Sequence, residues 1–255
     1  MTGPGPEIPA YPPCSTRVRV IRYHFQFRET IATILADEQR YIDTARSALV
    51  RARHELEHYI PGDPFFVSTL EPYLVDTGIT TVDRMSAAGV RAGVGPMAAV
   101  AGTLAMAGVI AMRDEGAEFA VIDNGGDIAL VSDRPVRVGI YAGTSPLSNR
   151  SAFVIPPKKD VFGICTSSAT VGPSLSFGTA DAVTVFSPDV ALADAWATSL
   201  CNVISPENTK CLEKVDPASV EGVFAIMGSR TFSWGNVPPV TAAQVDESLI
   251  TSGYL

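Results

Sequence analysis

Apolar and polar positions alternate near the start of the chain. Val18, Val20, Tyr23, Phe25 and Phe27, followed by Thr30-Ile-Ala-Thr-Ile-Leu, predict two strands between Arg17 and about Leu35. The pattern then changes to a charged helix from Asp37 to Tyr59, stopped by Pro61-Gly62-Asp63-Pro64. A short apolar run follows at Phe65–Thr69, and helices are expected at about 80–90 and 95–114. Glu118–Ile122 and Ile128–Ser132 read as strands flanking Asn124-Gly125-Gly126-Asp127, with further strands at Val136–Tyr141, Val161–Ser167 and Ala182–Phe186. Ser187-Pro188-Asp189 offers Ser as N-cap and Pro at the first position of a helix running to about Ile204. Val223–Met227 and Thr231–Trp234 close a hairpin around Gly228-Ser229. No internal repeat is evident. Residues 1–15, rich in Pro and Gly, read as a disordered tail, and 16–255 as one α/β or α+β domain with a largely antiparallel mixed sheet.

Composition narrows the function classes. The 255 residues are 46% hydrophobic and 18% charged, enough for a sizeable core without disulfides. A net charge of -8 argues against a nucleic-acid partner, since Lys158-Lys159 is the densest lysine pair and supplies no phosphate-tracking stripe. Cys14, Cys165, Cys201 and Cys211 are dispersed and form no C-x-x-C pair. The N-terminal sequence has no basic and apolar leader pattern, so the expected compartment is the cytoplasm. Ala92–Met112 is uncharged and long enough to span a bilayer, yet its Ala and Gly content and Pro96 favour a buried small-residue helix over a membrane span. The apolar composition is compatible with a homodimer.

His54-Glu55-Leu56-Glu57-His58 fits the H-E-x-x-H zinc-protease pattern, with imidazoles at i and i+4. Its surroundings, Arg51-Ala-Arg on one side and Pro61 on the other, read instead as an exposed helix face with i,i+4 charge pairs. A zinc protease is therefore the remote alternative.

The most informative signal is missing charge. Ala92–Met112 and Val161–Ala180 carry none, and Val190–Pro206 carries only Asp194. The last segment is apolar nearly all round its helical wheel, so the helix is expected to be buried. A buried carboxylate must be hydrogen-bonded, paired or metal-bound. Thr198 is one turn on and shares its face. Two hard oxygen ligands so spaced suit Mg²⁺, which keeps waters and phosphates as its other ligands; a carboxylate capping loop N–H groups is the other reading. Gly93-Val94-Gly95-Pro96 leads into a helix whose N-terminus attracts an anion, or is an ordinary turn. Asn124-Gly125-Gly126-Asp127 is a hairpin turn or a ligand cradle. The Thr, Ser and Gly run of 163–178, with Thr166, Ser167, Ser168, Thr170, Ser174, Ser176 and Thr179, is a polar strand and loop or a second set of donors. Together these features describe an anion site built from neutral donors and a divalent metal.

In this order the segments resemble the ApbE-like superfamily, whose type members are Mg²⁺-dependent FAD:protein FMN transferases. Over roughly 75–205, Asn124-Gly125-Gly126-Asp127 is similar to the Asn-x-Gly-Gly-Asp signature with one residue fewer, and Cys165-Thr166-Ser167-Ser168 to the Thr-Ser-Gly segment. Ala193-Asp194-Ala195-Trp196-Ala197-Thr198 matches the Ala-Asp-Ala-x-Ala-Thr helix, the most specific of the three. The shorter branch of the superfamily, which brings no established activity, also shares the stretches around Phe27-Arg28-Glu29-Thr30, Asp63-Pro64-Phe65-Phe66, Val94-Gly95-Pro96-Met97-Ala98 and Leu175-Ser176-Phe177-Gly178. The resemblance implies an ApbE-like fold, Mg²⁺ at Asp194 and Thr198, and FAD or FMN, or another pyrophosphate, against Gly95, Asn124, Gly125, Gly126, Asp127, Thr166 and Ser167. Asp181 is a candidate at one remove.

Two departures bear on chemistry. The transferases carry Lys-Gly where this helix begins Gly95-Pro96-Met97, and a His between the Thr-Ser-Gly motif and the metal helix; here His24, His54 and His58 all lie upstream. The catalytic residues are thus unassigned. The resulting expectation is a Mg²⁺-dependent flavin-nucleotide protein that transfers FMN to an unidentified protein acceptor or cleaves the FAD pyrophosphate. The alternative is a non-catalytic flavin- or nucleotide-binding module.

Overall fold

The computed structural model describes residues 19–170, 178–245 and 251. Period-two alternation builds β1 (Ile21–Phe27) and β2 (Thr30–Ala36), and α1 (Gln39–Tyr59) follows. A 3-10 turn at Ile60–Gly62 absorbs Pro61 and ends α1. The apolar run after it is a one-turn helix, α2 (Phe65–Ser68). Next come α3 (Thr80–Ala92), a 3-10 turn at Pro96–Ala99 and α4 (Val100–Asp114). The strands β3 (Phe119–Asn124), β4 (Asp127–Ser132), β5 (Val136–Gly139), β6 (Ser151–Ile155), β7 (Lys158–Ser167) and β8 (Ala182–Ser187) precede α5 (Val190–Val203). The chain closes with β9 (Gly222–Met227), β10 (Arg230–Gly235) and β11 (Val240–Ala242).

Eight strands form one sheet in the order β1-β2-β3-β4-β7-β8-β9-β10, and β11-β6-β5 form a second. Every strand pair among the described residues is antiparallel, so the expected mixed character is absent there. Alternation divides the large sheet into two faces. Ala32, Ile34, Ile122, Ala129, Cys165, Val183 and Val185 belong to the core shared with the helices. Val121, Leu130, Phe162, Ile164 and Phe186 form a second core with Phe153 and Ile155 of the smaller sheet. Phe153 meets Phe186 edge-on at 5.0 Å.

The uncharged stretch becomes the end of α3 and most of α4. Pro96–Asp114 is long and apolar enough to cross a membrane by length and composition. Leu104, Ala105, Val109 and Met112 of α4 are buried in the helix-side core. α5 is capped not by Ser187 but by Asp189, whose side chain accepts from Leu192 N at 3.2 Å. Ser187 lies ahead of the N-cap position, its Oγ accepting from Asp189 N at 2.9 Å and donating to the Ser219 carbonyl at 2.7 Å. Cys165, Cys201 and Cys211 are buried and form no disulfide among the described residues. Cys14, the 1–15 tail and most of Leu175-Ser176-Phe177-Gly178, with Ser174, lie outside the described residues.

Candidate functional site

Asn124-Gly125-Gly126-Asp127 forms the tight connection of the β3–β4 hairpin, with Asn124 paired to Asp127. Gly125 and Gly126 have φ of 72° and 102°, a conformation that side chains with a Cβ resist. The register then places Asp127 opposite Cys165 of β7, and both face the helices. Ser167, two residues beyond Cys165, shares that face, and its hydroxyl lies 3.2 Å from the Thr198 hydroxyl of α5. Asn124 donates from Nδ2 to the Ala101 carbonyl at 3.0 Å, joining the hairpin to the start of α4.

Asp194 is buried, 6% exposed. Its Oδ2 accepts from Gly102 N at 2.8 Å. The anion at the α4 N-terminus is thus this carboxylate, where helix polarity and unsatisfied amides favour negative charge. A Cβ on residue 102 would stand 2.8 Å from Asp194 Cβ and from the Val190 carbonyl oxygen, so glycine permits the approach. The capping reading of Asp194 is realised. Because a carboxylate offers about four lone-pair sites, capping does not exhaust its capacity.

Asp127, half-buried, is the second carboxylate on this face. Its Oδ1 has no hydrogen-bond partner. Burial pushes its carboxyl well above the usual range, and the nearby Asp194 and Asp123 charges add to the rise. Burial likewise moves Asp194 up to about 7, against the pull of the Gly102 and Ala101 amides. The Cys165 thiol is raised well above its ordinary value by burial and by these two carboxylates, which makes it an inert neighbour rather than a nucleophile. Each of the two carboxyl groups thus disfavours the charge of the other.

The remaining sequence candidates are distributed by the sheet. Thr166 lies on the opposite face, its hydroxyl 2.9 Å from that of Thr184, while its N–H donates to the Gly126 carbonyl at 3.2 Å. Gly95 donates its N–H to the Leu70 carbonyl at 2.8 Å and packs on Thr69, with Gly93 ending α3 in the left-handed conformation. Asp181 accepts from Gly228 N at 2.6 Å, fastening the β9–β10 turn. The structure therefore gathers Asn124, Asp127, Ser167, Asp194 and Thr198, while the Gly95 amide, Asp181 and the Thr166 hydroxyl engage other partners. Gly102 and Cys165 join the site without having been singled out for it by sequence, and the Asp123 charge acts on Asp127 from the opposite face of the sheet.

His54 and His58 are exposed on α1, with His58 Nδ1 2.7 Å from the His54 carbonyl. Glu55 accepts from Thr81 Oγ1 at 2.6 Å, and Glu57 pairs with Arg53 and Arg28. Among the described residues no three His, Cys, Asp or Glu side chains converge into a metal cluster. This helix face is built of ion pairs, as its charge pattern indicated.

The fold is that of the ApbE-like superfamily. The structure resembles the flavin transferase ApbE from Vibrio cholerae, with TM-score 0.59 at 14% identity over 85% of this chain and 96% of that one. It also resembles the apo form of Pseudomonas stutzeri flavinyl transferase ApbE, with TM-score 0.56 at 11% identity over 92% and 98%. A family model described as AbpE bacteria matches residues 14–245, and the chain belongs to that family. Its relatives include proteins named UPF0280 from Methanosphaerula palustris, 59% identical over 92% of this chain and 100% of that one, and from Methanospirillum hungatei, 56% identical over 92% and 96%.

Proposed function

We propose that this chain binds a flavin nucleotide, FAD or FMN, together with Mg²⁺ at the hairpin end of the large sheet, and acts on the FAD pyrophosphate by FMN transfer or by hydrolysis. The observation that carries the reading is the buried Asp194 beside a half-buried Asp127 whose shielded Oδ1 has no partner, in a chain whose fold is that of flavin transferases. The donor chemistry fits Mg²⁺. Asp127, Asp194 and the Thr198 hydroxyl are hard oxygen donors, and this ion keeps several waters and takes its remaining ligands from phosphates. Bound there, it would neutralise charge on the bridging and leaving phosphate oxygens.

The chain's own groups hold the site in place. The Gly102 amide fixes the Asp194 carboxylate, and Ser167 orients the Thr198 hydroxyl. The unsubstituted Gly125 and Gly126 leave the turn open to a ligand, with no heavy atom within 4 Å of a Cβ built on Gly125. Two facts favour the non-catalytic reading: the segment Gly95-Pro96-Met97 has no lysine, and all three histidines lie upstream. Product analysis separates the two. Incubation of FAD with Mg²⁺, with and without a protein acceptor, releases AMP if the chain cleaves the pyrophosphate. Intact FAD after prolonged incubation would establish the binding module instead.

A further inference from the structure

On the face of the sheet away from the helices, a second polar chain reaches the same hairpin turn. Asp123 is one residue before the Asn-Gly-Gly-Asp segment, and its two carboxylate oxygens serve different partners. Oδ1 accepts from Gly126 N at 2.9 Å. Oδ2 accepts from the hydroxyl of Thr251, at 2.8 Å and 128 residues away in sequence. The Thr251 hydroxyl also lies 2.9 Å from that of Thr33, and Thr33 pairs with Asp123 across β2 and β3.

One hydroxyl has one proton, and the carboxylate is the stronger acceptor. The order is therefore Thr33 O–H to Thr251 O–H to Asp123, with the Gly126 N–H completing the chain on the other oxygen. Thr33 and Thr251 are 5% and 6% exposed, so a member left unpaired cannot recruit bulk water without local opening. Hydrogen bonds linked in series in a buried setting strengthen one another. Thr251 also lies beyond the segment, 14–245, that the family model covers.

We propose that Thr251 is a positioning residue of the candidate site: through Asp123 it holds the Gly125-Gly126 turn in its ligand-receiving conformation, so that the site is complete only when residue 251 is docked on the sheet. The ligand-binding half of this inference rests on the flavin reading above; the turn-holding half does not. The turn sits between Asn124, which grips α4, and Asp127, which faces Asp194, and a displacement of about 1 Å at such a junction is enough to degrade binding or chemistry.

The test uses the full chain with Thr251→Val, which removes the hydroxyl, and Thr251→Ser, which keeps it. Two quantities are read: hydrogen exchange at the Gly126 amide without ligand, and FAD affinity in the presence of Mg²⁺. In Thr251→Val, Gly126 exchange is expected to accelerate about tenfold or more while α1 amides are unchanged, and FAD affinity to fall by a similar factor, as for loss of a hydrogen bond to a charged group. Thr251→Ser restores both. Unchanged Gly126 exchange in Thr251→Val, or equal acceleration in α1, overturns the positioning role. Faster Gly126 exchange with unchanged FAD affinity overturns its link to the site. Failure of the native chain to bind FAD defeats the flavin reading and leaves the turn-holding role to be decided by exchange alone. Thr251→Ala, which leaves room for a water, replaces the valine variant if that one does not fold.

Discussion

Asp194 and Asp127 place two acidic groups close enough for one charge to raise the pKa of the other, and this has a measurable pH signature. With the Asp194 carboxyl pushed up to about 7, the folded chain keeps a proton between about pH 4 and 7 that the unfolded chain releases. The stability linked to that proton is present below pH 4 and is lost as pH rises through 7. Asp194→Asn removes this dependence and also relieves Asp127 of a neighbouring charge. Urea denaturation at pH 5 and pH 8 is expected to show a smaller loss in Asp194→Asn than in the native chain; an equal loss would count against the assignment. Gly102→Ala sets two effects against each other. Alanine gains about 1 kcal/mol of helix propensity, but its Cβ would meet Asp194 and Val190 at 2.8 Å, and overpacking of this kind costs about 1–3 kcal/mol. The clash wins where backbone is one of the obstacles, so thermal denaturation is expected at a lower temperature. Asp194 was legible in the sequence because it is the one charge in an apolar helix. Thr251 and Thr33 were not, since nothing local marks a hydroxyl whose partner is 128 or more residues away.

At the level of elements, hydrophobic periodicity identified the long helices and the buried strands, and faltered where a choice depended on tertiary partners. Ser187 and Asp189 are both good N-cap types. Asp189 takes the role because the helix begins at Val190, while the Ser187 hydroxyl accepts from Asp189 N and donates to the Ser219 carbonyl. Asp189→Ala is expected to cost about 1 kcal/mol by denaturant titration, and an effect near zero would show that α5 is held by packing alone. Strand β6, five residues with four buried, shows no alternation, and β11 has three residues. Their pairing into a separate sheet is long-range information that local pattern does not contain. The H-E-x-x-H segment of α1 shows the reverse case, a motif whose spacing is correct and whose surroundings are not. His54→Ala with His58→Ala is expected to change stability by no more than about 0.5 kcal/mol, and elemental analysis of the native chain to find no stoichiometric zinc.

For the whole molecule, the division of the large sheet into two faces organises the candidate site. The helix face brings together Asp127, Ser167, Asp194 and Thr198. The other face carries Asp123, Thr166, Thr184 and Thr251. The hairpin turn is the junction of the two. A sequence motif names consecutive residues, whereas a strand sends consecutive side chains to opposite sides; this is why Thr166 and Ser167, adjacent in the motif, part company in the fold. In a chain with net charge -8, the proposed divalent cation would offset the Asp127 and Asp194 charge that an anionic ligand meets. The most direct measurement is calorimetric titration of FAD into the native chain and Asp194→Ala, each with and without Mg²⁺. The account predicts saturable binding that requires Mg²⁺ and is lost in the variant. Absence of binding in the native chain under every condition, or binding indifferent to both Mg²⁺ and Asp194, would contradict it and leave the likeness to flavin transferases at the level of the fold.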